Sequence, residues 1–331
     1  MYITLIGIFI RQGSIMKKTV FVLLFAVFVF FTASANGIKE LKVLTIGNSF
    51  ADSVFTFLPD IAKSFPDCKL ELDRANLGGC SLLRHWRIYA RTQRNPKNKE
   101  YYVYKNKSIP HYSLQEKLVE KKWDIITIHQ GSTPSPDWNT YEPYAGLLIA
   151  KIRKLAPQAE IVIQQTWNYR ADAPHFQPGH KWGFGQQEMY NRLDDCYRKL
   201  AEKYNLRIIP VGLSVQKYRE KTPVKFNPCP PEELKKLKMP TLPDQSGAIL
   251  GSMRWMKDKK TQQWYIRTDF KHLNAKGQYM QACVWFGFLF NKKCTDIKFI
   301  PDKKFNISAT ELELLKNCAQ QALDEYKQIK K

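Results

Sequence analysis

The chain has 331 residues, 44% of them hydrophobic and 25% charged, and 52 Lys and Arg against 30 Asp and Glu give a formal net charge of +22. That length and apolar share suit one α/β domain and require no second one. The seven cysteines form no C-x-x-C and no Cys/His cluster at zinc spacing, which argues against a structural metal; the odd number leaves at least one thiol free, and no disulfide is assigned.

From Met16 the text has the three parts of a secretory signal: Lys17 and Lys18, an apolar run from Val20 to Phe31, and Ala33-Ser34-Ala35 as a cleavage site. The run is short for a bilayer span. Residues 1–35 therefore read as a signal peptide cleaved after Ala35, with Met16 as the true start; a retained anchor is the alternative. No cysteine at the cleavage point suggests a lipoprotein. Removing Arg11, Lys17 and Lys18, with no acid, leaves a mature charge of +19. An exported basic protein, periplasmic or secreted, has no routine access to nucleic acid. Acidic polysaccharide or a membrane surface are the partners such a charge suggests, beside the simpler reading of a solvated basic surface.

Five apolar runs follow, "LKVLTIG" (41–47), "KLELDRAN" (69–76), "WDIITIHQG" (123–131), "AEIVIQQTW" (159–167) and "LRIIPVG" (206–212), with helix-patterned segments between them. Such alternation predicts a parallel sheet covered by helices on both faces, with any site at the carboxyl ends of the strands. Two stretches interrupt it: a basic, Tyr-rich excursion at 88–122 and a second at 217–265, which ends like a hairpin between Trp255 and Trp264. Residues 298–331 read as an accessory helical tail.

Four places could carry chemistry. Ser49, in "VLTIGNSFADS", stands where the first strand meets a helix, as a nucleophile or only a cap. Gly78 and Gly79 follow the second strand, where backbone N–H groups can approach a reacting carbonyl or merely form a turn. Gln130 follows the third strand with an amide able to point to the same place. Asp269 precedes His272 by three residues before the last long helix, capped by Asn274, so that a carboxylate can hold an imidazole facing a serine. Ser132 competes as a hydroxyl but lacks the tight strand-to-helix context. His85, Trp86, Tyr144, Trp167 and Tyr169 lie near strand ends as sugar-stacking or hydrogen-bonding candidates, or as packing residues.

Taken in order, Gly47-Asn48-Ser49, Gly78-Gly79, Gln130-Gly131 and Asp269-x-x-His272 resemble the four blocks of the SGNH, or GDSL-like, hydrolase superfamily, over residues 41–290. A closer likeness is to an exported branch of it described as a domain of unknown function, carried by "IGNSF", "GGCSLLRHW", "WDIITIHQGS", "YEPYAGLLIAKIRK", "TWNY", "PVGLSVQKYR" and "DFKHLNAKGQY". The resemblance implies a flavodoxin-like three-layer α/β/α sandwich on a parallel five-stranded sheet over 36–297. It also implies ester hydrolysis by Ser49, His272 and Asp269, with an oxyanion hole of Ser49, Gly79 (or Gly78) and Gln130 and no metal or organic cofactor. Two blocks depart from the pattern. Gly-Asn-Ser replaces Gly-Asp-Ser, and the third block lacks Gly-x-Asn-Asp, where "HQGS" is similar to the Gln-Gly-Glu of carbohydrate acetylesterases. The expected activity is an exported serine esterase removing acyl groups, chiefly acetyl, from carbohydrate. Alternatives are a lipid or aryl esterase of the same superfamily and a non-catalytic binder of acidic glycans.

Overall fold

A computed structural model describes residues 37–102 and 111–328. The signal-peptide reading at 1–35 and part of the basic excursion lie outside the described residues. Five parallel strands, β1 (Lys39–Gly47), β2 (Cys68–Asn76), β3 (Ile125–Ile128), β4 (Glu160–Gln164) and β5 (Arg207–Ile209), form one sheet in the order β2-β1-β3-β4-β5. Val43, Leu44 and Ile46 of β1 and all four residues of β3 are buried, as a sheet covered on both faces demands. β3, β4 and β5 are shorter than their apolar runs, whereas β1 and β2 begin before theirs. β5 stops at Ile209 because Pro210 has no N–H to give a ladder and turns the chain into a helix.

The helices are α1 (Ser49–Asp52), α2 (Leu58–Lys63), α3 (Leu82–Arg94), α4 (Leu114–Val119), α5 (Tyr144–Leu155), α6 (Gln186–Tyr204), α7 (Val211–Lys221), α8 (Pro231–Lys236), α9 (Ala275–Phe290) and α10 (Ala309–Gln328). On one side of the sheet α3 and α4 pack on α5, and α5 is tied to α6 by Arg153 donating to the Tyr204 carbonyl. On the other, α9 packs against α2, α7 and β5, completing a three-layer α/β/α sandwich. The strand order is flavodoxin-like, and its direction reverses between β1 and β3. Loops leaving the carboxyl ends of these two strands diverge there and open the crevice where such sheets place their sites.

The second excursion carries α8 and ends in an antiparallel hairpin of β6 (Leu250–Lys257) and β7 (Trp264–Leu273). A register shift at Gly251 bends it: this glycine has φ +79°, and a Cβ there would stand 2.1 Å from the Asp269 carbonyl oxygen.

The C-terminal segment is no appendage. Helix α9 is apolar on nearly every face, from Tyr279 through Phe290, so the sheet can cover only one side of it. Helix α10 covers another with Leu312, Leu315, Cys318, Ala319 and Ala322, all buried. The tail read from sequence as accessory thus completes the core. Leu315→Ala is expected to lower the free energy of unfolding in urea by about 2–5 kcal/mol. A loss under about 0.5 kcal/mol would mark the segment as dispensable.

Candidate functional site

Helix α1 begins directly after β1, and Asn48 makes that turn by capping it: its Oδ1 accepts the Phe50 N–H at 2.9 Å. Ser49 is therefore the first helical residue and not the cap, which leaves its hydroxyl for other work. The peptide joining Gly47 to Asn48 is held on both sides. Its carbonyl accepts from the Leu77 N–H and from His85 Nε2, each at 3.0 Å, and its N–H donates to His129 Nε2 at 3.3 Å. The His129 ring lies so close that a Cβ on Gly47 would come within 1.9 Å of Cε1, so only glycine fits.

The Ser49 Oγ is 2.9 Å from His272 Nε2, and His272 Nδ1 is 2.7 Å from Asp269 Oδ2. A carboxylate only accepts, so Nδ1 carries the ring proton and a neutral His272 presents the Nε2 lone pair to the Ser49 hydroxyl. The other Asp269 oxygen accepts the N–H groups of Lys271 and His272 at 2.9 and 3.1 Å. Burial works to raise the Asp269 carboxyl, but the His272 hydrogen bond and these two backbone donors outweigh it and hold the group below the usual carboxylate range. The His272 and Asp269 side chains keep 37% and 35% of their exposure, so the row opens to solvent.

A turn from Leu77 to Cys80 flanks the serine. Leu77 donates to Gly47, and the Asn48 amide donates to the Cys80 carbonyl at 2.9 Å, which fixes both ends of the turn to the loop that carries Ser49. Gly78 and Gly79 are exposed between them, Gly79 with φ +62°. Among the described residues no acceptor takes the Ser49 or Gly79 N–H.

Gln130 is placed differently from its sequence reading. It is fully buried; its Oε1 accepts from Leu82 and Gly131 at 2.9 Å, and its Nε2 donates to the Thr140 carbonyl and hydroxyl at 2.9 and 3.2 Å. Two N–H groups facing Oε1 fix which end of the amide is which. With both hydrogens engaged, the side chain ties the loop after β3 to the start of α3 and has none left to aim beside Ser49.

The candidate sugar contacts mostly face inward. His85 is buried between Gly47 and the Tyr101 hydroxyl, 2.8 Å from Nδ1. Trp167 is buried, stacks on Phe50 at 4.1 Å and donates from Nε1 to the Lys271 carbonyl at 2.8 Å; Phe50 in turn meets the His272 ring edge-on at 5.6 Å. Tyr169 is buried with its hydroxyl on Ser132 Oγ at 2.9 Å, which gives Ser132 a phenol and no base as its partner. Trp86 stacks on Tyr89 and Tyr144 packs on the core, both half-buried. Asn48, Phe50, His129 and Arg170 were not legible as site residues. Arg170 anchors the hairpin: its N–H donates to the Phe270 carbonyl at 2.8 Å, and its guanidinium pairs with Asp172. Only Asn48 had a local signal, a capping residue type just before a helix.

Ser49 after β1, the exposed glycines after β2 and Asp269-x-x-His272 before α9 stand in the order on which the sequence resemblance to SGNH, or GDSL-like, hydrolases rests. The chain belongs to the family described as a domain of unknown function (DUF4886), which matches residues 42–226 and so stops short of the hairpin. A DUF4886 family protein from Bacteroides uniformis ATCC 8492 shares the fold, with a TM-score of 0.63 at 23% identity over 86% of this chain and 95% of that one. Weaker likenesses include an SGNH hydrolase candidate from Slackia heliotrinireducens (TM-score 0.39, 18% identity, 54% and 83% covered). Another is a GDSL-like lipase candidate from Parabacteroides merdae ATCC 43184 (TM-score 0.42, 12% identity, 77% and 100% covered). Comparison with the curated proteins gives no match.

The two histidines beneath the serine carry a pH dependence. Burial holds His85 down at about 4 and, with His85 nearby, His129 down at about 3. Unfolded, each binds a proton near pH 6.5. The stability that neutral burial contributes is therefore fully present above about pH 6.5 and falls as the pH drops toward 3, because the unfolded chain takes up protons that the folded one refuses. Asp269, with its depressed value, loses its own contribution only at lower pH. Urea unfolding from about pH 7 to 4 should show the decline, with a shallower slope in His129→Asn; equal slopes in the two proteins would contradict it.

Proposed function

We propose that the protein is an exported serine esterase that removes short acyl groups, chiefly acetyl, from carbohydrate. The observation that carries the ester-hydrolase reading is the hydrogen-bonded row Ser49 Oγ, His272 Nε2, His272 Nδ1 and Asp269 Oδ2, at 2.9 and 2.7 Å, beside two unengaged backbone donors. His272 Nε2 accepts the Ser49 proton as Oγ bonds to the ester carbonyl carbon, and Asp269 stabilises the imidazolium. The N–H groups of Ser49 and Gly79 receive the oxyanion, each such donor contributing on the order of a hundredfold or more in rate. Collapse breaks the bond to the sugar oxygen, which leaves with the proton from His272. Water then repeats the sequence on the acyl-serine, releasing acetate and restoring the serine.

Export rests on the signal at residues 16–35. The small acyl group rests on the setting of the serine: exposed Gly78 and Gly79 and a partly exposed His272 suit a short acyl group on a bulky polar alcohol. Ser49→Ala and His272→Ala should each lower kcat/KM for p-nitrophenyl acetate by about a thousandfold or more, with circular dichroism unchanged. Asp269→Asn should lower it by roughly a hundred- to ten-thousandfold. Full activity in both of the first two variants would overturn the reading, and undiminished hydrolysis of long-chain esters would overturn the preference for acetyl.

A further inference from the structure

The hairpin that brings Asp269 and His272 to Ser49 has two unlike faces. On one, Met253 is buried, Trp255 donates from Nε1 to the Thr241 carbonyl at 3.0 Å, and Phe270 meets the Tyr169 ring at 5.4 Å. On the other, Ser252, Arg254, Tyr265 and Arg267 are exposed and Met256 and Asp269 half-buried. There Arg254 stands directly across from Arg267, Met256 from Tyr265, and Ser252 from Asp269, so one strand face runs from the catalytic carboxylate to a pair of guanidiniums. Arg267 lies two residues from Asp269, about 7 Å along the strand.

Like charges placed opposite each other on a sheet repel and destabilise it. Neither arginine has an acid partner among the described residues, which is also true of Arg87, Arg94, Arg153 and Arg219; what sets Arg254 and Arg267 apart is that they are neighbours across a strand pair. The same holds on the far side of the nucleophile, where exposed Arg84 donates to the Gly78 carbonyl at 3.1 Å and meets no acid among the described residues. Tyr265, 46% exposed beside Arg267, offers a flat ring.

We propose that this hairpin face docks an anionic polysaccharide, with Arg254 and Arg267 holding its carboxylates and Tyr265 stacking on a sugar ring, and that esters along the same polymer are what reaches Ser49. The purpose of the docking rests on the esterase reading; the docking itself does not. Arg84 receives a further acid group beyond the serine, so the polymer crosses the nucleophile and leaves cations on both sides of it.

The test is binding of the full-length protein to polygalacturonate and to neutral xylan by isothermal titration calorimetry, followed by acetate release from acetylated forms of each. Polygalacturonate should bind and xylan should not, and the binding should weaken severalfold between about 50 and about 300 mM salt. Arg254→Gln/Arg267→Gln should weaken binding roughly three- to tenfold and lower kcat/KM on the acetylated anionic polymer more than on acetylated xylan. Lys at both positions should restore most of the binding, which separates charge from folding. Equal affinity for the two polymers, or a Gln variant that binds as tightly as the parent, overturns the docking face while leaving the esterase reading intact. Binding with no ester hydrolysed by the parent protein supports the docking face and overturns the esterase reading.

Discussion

One peptide unit, Gly47–Asn48, is the point on which the site depends. Its carbonyl accepts from Leu77 and His85, and its N–H donates to His129. These partners come from the turn after β2, from α3 and from the end of β3, so three separate connections converge on the turn that presents Ser49. Each is buried away from water, where a missing partner costs about 1–3 kcal/mol. The turn therefore has little freedom to relax, and the direction of the Ser49 side chain follows from it. The arrangement carries a cost of its own: with His129 neutral and Nε2 accepting, Nδ1 bears the proton and is buried with no partner among the described residues.

Asp269 and His272 arrive from a different part of the chain and are held by different forces. Aromatic packing links the two halves: Phe50, the residue after Ser49, lies between Trp167 and the edge of His272, and Trp167 also donates to the Lys271 carbonyl. The Phe50 carbonyl accepts from Gln281 and Ser53, anchoring the same turn on α9. Hairpin, sheet and α9 thus share contacts around one phenylalanine. Gly251 lets the hairpin bend where Asp269 must sit, and Arg170 holds its base.

Buried aromatic and polar residues near the site hold its frame together. His85, Trp167, Tyr169 and Gln130 all read naturally from sequence as contacts, because a residue type near a strand end says nothing of which way its side chain points. Whether an amide is free or already engaged is decided by neighbours: Gln130 meets Leu82 and Thr140, 48 and 10 residues away. On the hairpin, by contrast, Arg254 and Arg267 face each other exposed and have no acid partner among the described residues.

The sequence by itself determined the alternation of strand and helix, the parallel sheet that follows from doubly buried apolar runs, and the candidates Ser49, Asp269 and His272. These are properties of local patterning: period, capping and short motifs survive in one dimension. Only the tertiary structure decided that Asn48 caps α1 in place of Ser49, that His129 and not Gln130 reaches the Gly47–Asn48 turn, and that α10 belongs to the core. It also decided that Arg254 and Arg267 face each other on one side of the hairpin with no acid partner among the described residues. The physical reason is common to all four: burial, pairing and direction depend on contacts between segments far apart in the chain, and no spacing along the sequence encodes them.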